Sequence, residues 1–465
     1  MNKTIETAYQ NALMADAAYI DFKRDPLFLE TDGADNSLYR ITNNAEVDFL
    51  DRGFTQEQFE AFQKRYRIPK GGYEFDQSSG FDAVVFVDTQ NNDKKTIAFR
   101  GTEATGTYGN VDVGDLFQDI NLALGLSGLG EWLAGALTPE WLQGKLRENG
   151  FEKSADFLGI LGSASQDFDR TAFLKKLGLL DKNGKPVEGA ETVNITGHSL
   201  GGNLALHAAS SLGALADQTI TFNGAGMAGL DAALAQGDNR ITNYFSIPGW
   251  QVTAGEVGED LSLFQRKGLR HGLFIESQGS TFQFGNHSMV HLVNALSVAR
   301  LFEATNPELG WDEVNRILFS ASNAQVEHHK GETGEPEGDT PAQSLNTVMA
   351  HLAKVLGGEY AEFTTTNHAE AIYKRLNKTG LMQQLTLIPT PLGGETVGSI
   401  TTTYGDLAGK AYLYSLLELS SFMVIPPEGY AEGIFATGDS DYQNADGTRY
   451  SERFIADRLA LLGLV

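Results

Sequence analysis

The most informative stretch of this chain is Thr192-Val193-Asn194-Ile195-Thr196-Gly197-His198-Ser199-Leu200-Gly201-Gly202-Asn203-Leu204-Ala205-Leu206-His207. A β-branched run ends in a Gly-His-Ser-Leu-Gly turn, and an Ala/Leu-rich helical pattern follows at once. In this order of strand, turn and helix, a G-x-S-x-G motif presents a nucleophilic serine. The flanking glycines leave room for a close strand–helix crossing, and the helix N-terminus behind Ser199 offers N–H groups to an oxyanion. The plainer interpretation is a glycine-rich turn with an incidental serine.

Length and composition limit the class of protein and its partners. The chain has 465 residues, of which 41% are hydrophobic, so it can bury a large core divided into two or three units. Its formal net charge of −25 argues against nucleic acid as a partner, because an acidic surface repels phosphates. It has no cysteine, which excludes disulfides, thiolate metal sites and a thiol nucleophile.

The N-terminus and the hydropathy pattern bear on localisation. Residues Met1–Glu6 do not begin an apolar core of the kind found in cleaved signal peptides. No window approaches about 20 uninterrupted apolar residues, so we expect no transmembrane helix. A cysteine-free chain suits export in an unfolded state as well as the cytosol. We expect a secreted bacterial protein without a cleaved signal peptide, with a cytoplasmic location as the alternative.

Strands and helices alternate between Phe81 and Phe302, a pattern that predicts an α/β fold with a parallel or mixed sheet. The predicted strands besides the one before Ser199 are Phe81–Val87, Thr96–Phe99, Gln218–Phe222, Ile241–Ile247 and Gly272–Glu276. Helical periodicity outside this core covers Thr4–Ile20, Gln343–Leu356, Asn367–Leu376, Asp406–Phe422 and Ser451–Leu462. The predicted units are an N-terminal helical segment packing on the core (1–80), a catalytic core (81–310) and a mostly helical C-terminal extension (311–465).

A long insertion interrupts the predicted core at about 109–178. It contains the apolar, glycine-rich stretch Ile120–Leu137, which is too long for one strand. One interpretation is a mobile helical lid that faces lipid over the active site, and the other is a buried helical hairpin.

A serine nucleophile requires a base within hydrogen-bond reach and an acid that orients the base. In α/β hydrolases the chain order is serine, acid, histidine. His287 follows the last predicted strand in a Gly-Asn-His-Ser loop, so topology favours it as the base, with His291 as the rival. The alternative is that this loop only caps the following helix.

The acid is less well determined by the sequence. It should follow the strand Ile241–Ile247, but the first carboxylate there is Glu256, followed by Glu259 and Asp260. The other candidate is Glu276, which lies at the end of the last predicted strand, before His287 in the chain. Glu256 and Glu276 are equal candidates and Asp260 is third, and each could instead be a surface carboxylate.

Three motifs resemble the class 3 lipase family of α/β hydrolases over about Phe81–Phe302. They are Phe99-Arg100-Gly101-Thr102-Glu103, Gly197-His198-Ser199-Leu200-Gly201-Gly202 and Thr221-Phe222-Asn223-Gly224. Two others, Asn286-His287-Ser288 and the segment Tyr450–Arg458, resemble bacterial lipases and phospholipases that often carry RTX calcium-binding repeats. The repeats themselves are absent, and Trp250 or Gln251 stands where the family usually has its aspartate.

The resemblance implies an α/β-hydrolase sheet with helices on both faces, a lid, and hydrolysis of lipid esters. Ser199 would be the nucleophile, His287 the base, and the N–H groups of Thr102 and Leu200 the oxyanion hole. The partners would be a lipid ester and, through the lid, a membrane or lipid-droplet surface. The alternatives are a phospholipase toxin or effector, and an inactive α/β-hydrolase scaffold used for binding.

No metal or organic cofactor is required by this chemistry. The carboxylate-rich segment Asp439–Gly447 could hold calcium, but it lacks the full ligand spacing with a terminal glutamate. An acidic turn is the favoured interpretation.

Overall fold

The computed structural model describes the chain in segments. The described residues are 4–76, 81–101, 164–224, 227–228, 238–247, 264–265, 268–276, 288–318, 344–393, 397–436, 450 and 452–463. The first part of the predicted lid (109–163) and the acidic segment Asp439–Gly447 lie outside them. Within these segments, no helix is both long enough and apolar enough to cross a membrane.

The described residues contain one ten-stranded mixed sheet and two small two-stranded sheets. The strands are β1 (Leu29–Thr31), β2 (Leu38–Ile41), β3 (Tyr66–Pro69), β4 (Tyr73–Asp76), β5 (Phe81–Asp88), β6 (Lys94–Phe99), β7 (Val193–His198), β8 (Ala216–Phe222), β9 (Met227–Ala228), β10 (Ile241–Ile247), β11 (Phe264–Gln265), β12 (Leu269–Phe274), β13 (Thr386–Pro389) and β14 (Phe422–Ile425). The order across the large sheet is β1-β2-β3-β5-β6-β7-β8-β10-β12, and β4 also pairs with β5. The small sheets pair β9 with β11 and β13 with β14.

Helices lie on both faces of the large sheet. They are α1 (Thr4–Ala17), α2 (Glu46–Asp51), α3 (Gln56–Arg65), α4 (Ala164–Lys176), α5 (Leu200–Leu212), α6 (Met289–Thr305), α7 (311–318), α8 (Ser344–Leu356), α9 (Ala369–Thr379), α10 (Val397–Leu417) and α11 (Glu452–Gly463). Together with the mixed sheet they confirm the predicted α/β class.

The direction of the strands places several strand ends at one edge of the sheet. Strands β1 to β6 pair in antiparallel fashion, whereas β6, β7, β8, β10 and β12 run parallel to one another. Phe99 pairs with Gly197, and His198 pairs with Phe222, so β6, β7 and β8 end level with one another. The residues that follow these strands therefore share the carboxyl edge of the sheet, where parallel sheets carry their ligand sites.

Side chains alternate between two apolar layers on the two faces of the sheet. On β6, Ile97 and Phe99 pack with α4 and α5, whereas Ala98 lies in the layer of α1 and α6. The second layer also contains buried residues of α8 to α11, so the hydrophobic core continues across the boundary predicted at 310/311. The central strand β5 is buried along its whole length, because both of its faces are covered.

A buried ionic cluster joins the N-terminal and C-terminal helices. Arg300 of α6 pairs with Glu6 of α1 and, at 2.6 Å, with Glu370 of α9. The hydroxyl of Tyr9 donates to the same Glu370 carboxylate at 2.9 Å. Because a charge left without its partner in a core costs several kcal/mol, these contacts tie α1, α6 and α9 to one arrangement.

The structure corrects three details of the sequence predictions. Segment 1–80 was predicted as helical, but it also contributes β1 to β4, and β3 and β4 extend the sheet across the 80/81 boundary. The lid was predicted to reach 178, yet α4 is a core helix with Phe173 and Leu174 buried against the sheet. The strand predicted at Gly272–Glu276 runs instead from Leu269 to Phe274.

Candidate active site

The turn between β7 and α5 has the geometry expected of a nucleophile elbow. Ser199 has φ 57° and ψ −125°, a backbone conformation that residues other than glycine rarely adopt and that costs about 1–3 kcal/mol. Its N–H donates to the carbonyl of Phe222 at 3.1 Å, and its carbonyl accepts the N–H of Gly202 at 3.0 Å. The surrounding strand and helix thus hold the serine in a strained conformation.

The glycines around the serine are required by close backbone approaches. A Cβ atom on Gly197 would lie 2.2 Å from the carbonyl oxygen of Gly201, and one on Gly201 would lie 2.2 Å from that of Phe99. A Cβ atom on Gly202 would lie 2.6 Å from the Cα of Gly224. The strand–helix crossing predicted from Gly197 and Gly201 is therefore confirmed, and Gly202 allows a second approach, to the end of β8.

The serine side chain is half-buried at the N-terminus of α5. Its hydroxyl makes no hydrogen bond with another residue of the described segments. Leu200, the predicted oxyanion donor, is the first residue of α5, and N–H groups in a first helical turn have no acceptor within the helix. The helix dipole adds partial positive charge at the same point.

The end of β6 lies against the elbow. A Cβ atom on Gly101 would lie 2.9 Å from the Cβ of Ser199 and 2.6 Å from the carbonyl oxygen of His198. The preceding residue, Arg100, forms an ion pair with Asp82 of β5 at 2.8 Å. Thr102, the second predicted oxyanion donor, is the next residue along the chain and lies outside the described residues.

Tyr19, which the sequence reasoning did not single out, connects these two strand ends. Its hydroxyl accepts the N–H of Gly101 at 3.1 Å and lies 2.8 Å from Nδ1 of His198. Its ring is buried, with the Arg52 guanidinium 4.3 Å from the ring centroid. Burial raises the pKa of the phenol well above its usual value, so the hydroxyl keeps its proton at neutral pH.

An ion pair with α1, the helix that precedes Tyr19, holds Arg52 in place. Its guanidinium pairs at 3.1 Å with Asp16 of α1, a carboxylate whose pKa burial raises to about 6 although the neighbouring Arg52 lowers it. Gly53 packs on the first turn of α6, since a Cβ atom there would lie 2.1 Å from Cγ2 of Val290.

Glu276 lies at the same edge of the sheet, two residues after β12, and is 8% exposed. One carboxylate oxygen accepts the N–H groups of Leu345 and Asn346, both at 2.9 Å, at the N-terminus of α8. Burial raises the pKa of this carboxyl to about 6, and the two hydrogen bonds oppose the rise. The carboxylate therefore has a structural contact, and its predicted role as triad acid stays a prediction.

The remaining predicted site residues His287, Glu256 and Asp260 lie outside the described residues. Ser288 precedes α6 in extended backbone, as expected of the residue before a helix. The rival base His291 lies in the first turns of α6, where burial lowers its pKa. The structure thus brings together Ser199, Leu200 and Gly101, adds Tyr19, and places Glu276 farther along the same edge.

Comparison with known proteins gives a distant structural likeness. The chain is similar to the Lip2 lipase from Yarrowia lipolytica at 12% sequence identity and a TM-score of 0.29, with 60% of this chain and 80% of that chain covered. No protein-family model and no curated protein sequence matches the chain. A likeness this distant carries no argument, so the function must be argued from the geometry of the elbow.

Proposed function

We propose that the protein is a serine-dependent carboxylic ester hydrolase that acts on lipids through an acyl-enzyme. The observation that carries the proposal is the conformation of Ser199, at φ 57° between a central strand and a helix. Backbone strain at a residue other than glycine is characteristic of functional sites. A glycine-rich turn with an incidental serine would place glycine, not serine, at this backbone position.

The reaction follows from the groups around the serine. His287 accepts the Ser199 proton while the hydroxyl oxygen attacks the ester carbonyl, and the N–H groups of Leu200 and Thr102 stabilise the oxyanion. Each such donor contributes about 3–4 kcal/mol to the transition state. Protonated His287 then gives its proton to the leaving alcohol, and water attacks the acyl-serine with His287 again as the base.

The orienting acid is proposed among Glu256, Glu276 and Asp260. Glu276 lies at the same carboxyl edge of the sheet as Ser199, so it remains a candidate. Its pKa of about 6 leaves it ionised at neutral pH. The amide variants Glu256→Gln, Glu276→Gln and Asp260→Asn decide among them, because only loss of the orienting acid lowers kcat by several orders of magnitude.

The proposed substrates are acylglycerols or phospholipids, reached at a lipid surface. The apolar stretch Ile120–Leu137 is the part of the chain suited to transient contact with that surface. A secreted enzyme would meet such substrates outside the producing cell, which makes secretion the proposed localisation. The reaction needs no cofactor, and we propose that Asp439–Gly447 is an acidic turn, with a calcium site as the weaker alternative.

The test uses Ser199→Ala, with Ser211→Ala as the matched control on the same helix. Ser211 lies at the other end of α5, where its hydroxyl donates to the carbonyl of His207 at 2.9 Å and accepts from Arg170 at 3.4 Å. We expect Ser199→Ala to abolish hydrolysis of a nitrophenyl ester and labelling by a fluorophosphonate probe, while Ser211→Ala retains both. Absence of labelling in the wild-type chain would favour the inactive scaffold instead.

The substrate class is tested separately. Fatty acid released from triolein but not from phosphatidylcholine vesicles identifies a triacylglycerol lipase, and the reverse identifies a phospholipase of the toxin or effector kind. Hydrolysis of short nitrophenyl esters alone, with neither lipid attacked, contradicts the proposal of lipid substrates.

A further inference from the structure

We propose that Tyr19 is a positioning residue that holds the end of β6 in register with the nucleophile elbow. This inference rests on the proposed ester hydrolase function and names a further residue on which that function depends. Tyr19 follows α1, far from both strand ends in the sequence, and its hydroxyl contacts both of them. The proposed oxyanion hole is divided between the same two strand ends.

The Tyr19 hydroxyl contacts one residue just before the elbow and one at the adjacent end of β6. The Gly101 N–H donates to the phenol oxygen at 3.1 Å, which fixes the peptide plane between Arg100 and Gly101. That plane precedes Thr102, whose N–H is the proposed second oxyanion donor. The other contact, 2.8 Å long, is to Nδ1 of His198, the residue directly before the nucleophile.

The directions of these hydrogen bonds can be assigned from the network. The phenol oxygen accepts the Gly101 N–H, and the phenol keeps its own proton because the group is buried. We therefore assign that proton to the bond with Nδ1 of His198, which makes the imidazole an acceptor on this side. The chain of donors runs from Gly101 through Tyr19 to His198, and each member orients the next.

The tyrosine ring is itself fixed from several sides. Arg52 lies 4.3 Å and Arg100 lies 5.6 Å from the ring centroid, at cation–π distances. Arg52 is held by Asp16, and the adjacent Gly53 packs against Val290 of α6. The hydroxyl therefore has little freedom to follow a displaced strand, as expected of a group that sets a distance between two backbones.

A positioning role affects the transition state more than substrate binding. Small displacements of catalytic groups reduce the rate steeply, by about 100-fold for about 1 Å. Without the hydroxyl, the end of β6 loses its fixed separation from Ser199, whereas the hydroxyl itself is buried and is not a group that binds substrate. We therefore expect kcat to fall while KM stays the same.

The test compares Tyr19→Phe with Tyr66→Phe. Tyr66 is also buried, and its hydroxyl donates at 2.7 Å to the side chain of Gln10 on α1. Each variant loses one buried tyrosine hydroxyl, so a general loss of stability appears in both. We expect at least about a tenfold fall in kcat for Tyr19→Phe, equal to about 1.4 kcal/mol, and no fall for Tyr66→Phe.

A second pair of variants approaches the same contact from the elbow and serves if Tyr19→Phe fails to fold. His198→Leu removes the acceptor, and we expect a similar fall in kcat. His198→Asn offers an oxygen acceptor near the position of Nδ1, and we expect it to recover part of the loss. In the double variant Tyr19→Phe/His198→Leu the two losses should be less than additive, because both variants remove the contact between Tyr19 and His198.

The outcomes separate this inference from the proposed function. An active wild-type enzyme in which Tyr19→Phe and Tyr66→Phe have equal kcat overturns the positioning role and leaves the ester hydrolase intact. Additive losses in the double variant overturn it as well. A wild-type chain that neither hydrolyses esters nor reacts with a fluorophosphonate overturns both.

Discussion

Two strand ends at the carboxyl edge of the sheet, those of β7 and β12, carry polar side chains in opposite circumstances. At the end of β7, Ser199 has a strained backbone and a hydroxyl that makes no hydrogen bond with another described residue. At the end of β12, Glu276 has a carboxylate that accepts two backbone N–H groups of α8.

The fold holds Ser199 in an unfavourable conformation, whereas Glu276 stabilises the fold through its hydrogen bonds to α8. Removing the Ser199 hydroxyl would break no hydrogen bond between described residues, whereas removing the Glu276 carboxylate would leave the first N–H groups of α8 without their acceptor. Strain without structural benefit is evidence of function at Ser199. A satisfied buried carboxylate is weaker evidence, because its position is already explained by the helix that it caps.

Among the variants that test this contrast, we expect the largest effects on stability and activity from Gly201→Ala. The new Cβ atom would lie 2.2 Å from the carbonyl oxygen of Phe99, so either β6 or α5 must shift. We expect a loss of about 3 kcal/mol in the free energy of unfolding, because overpacking against backbone outweighs the better helix propensity of alanine. Ester hydrolysis should fall by about 100-fold as the elbow moves. Urea denaturation and nitrophenyl ester kinetics measure the two effects.

Gly310→Ala is the control for this substitution. A Cβ atom on Gly310 would have its nearest neighbour at 4.0 Å, the carboxylate of Glu313, so the same change should be tolerated there. If Gly201→Ala were as stable and as active as Gly310→Ala, the close crossing of strand and helix would not be what holds Ser199.

A smaller effect is expected at Glu276, and it depends on pH. Its pKa is raised from 4.5 to about 6 by burial, so the folded state binds this proton more tightly than the unfolded state. The resulting stability is fully present below pH 4.5 and is lost as the pH rises through about 6. A shift of this size corresponds to about 2 kcal/mol. Urea denaturation from about pH 4 to about pH 7.5 should show this component in the wild type and not in Glu276→Gln.

Glu362→Gln is the matched control, because it removes the same charge from an exposed position. Its pH profile shows how much of any change comes from net charge alone. If Glu276→Gln and Glu362→Gln had the same profile, Glu276 would not be desolvated as the structure indicates. A loss of kcat of several orders of magnitude in Glu276→Gln, beyond any loss of stability, would instead identify it as the triad acid.

The contrast also explains how much the sequence could predict. The elbow was predictable because its strand, turn and helix are consecutive in the chain and the two glycines carry their own steric meaning. The strands β5, β6, β8 and β10 were predictable for a similar reason, since each is an apolar run bounded by turns. Residue composition and local periodicity are enough to predict an element whose parts are consecutive in the chain.

Contacts between distant parts of the chain were not predictable in this way. Tyr19 lies 82 residues from Gly101 and 179 from His198, and Glu276 lies 69 from Leu345. Nothing in the sequence near Tyr19 distinguishes it from a tyrosine at the end of an amphipathic helix. The strands β1 and β2 were missed because they are short and only partly buried, so they lack the apolar alternation that marks a strand.

The smallest predicted effect compares Ser199→Gly with Ser199→Ala. Both variants lose the hydroxyl and should lose activity together, but only glycine lacks the Cβ atom that makes φ 57° unfavourable. Release of strain should stabilise Ser199→Gly by about 1–3 kcal/mol, and the greater freedom of glycine in the unfolded chain should offset about 0.5–1 kcal/mol of that. We expect Ser199→Gly to be the more stable variant by about 1 kcal/mol, measured by urea denaturation at neutral pH.

This comparison isolates backbone strain from chemistry, because neither variant can form an acyl-enzyme. At most positions outside turns, glycine in place of alanine destabilises a protein, so the expected sign is opposite to the general trend. If Ser199→Ala were the more stable of the two, the turn would hold no strain at this residue. The argument from strain to function at the end of β7 would then fail, and Ser199 would have no stronger claim to a catalytic role than the satisfied carboxylate at the end of β12.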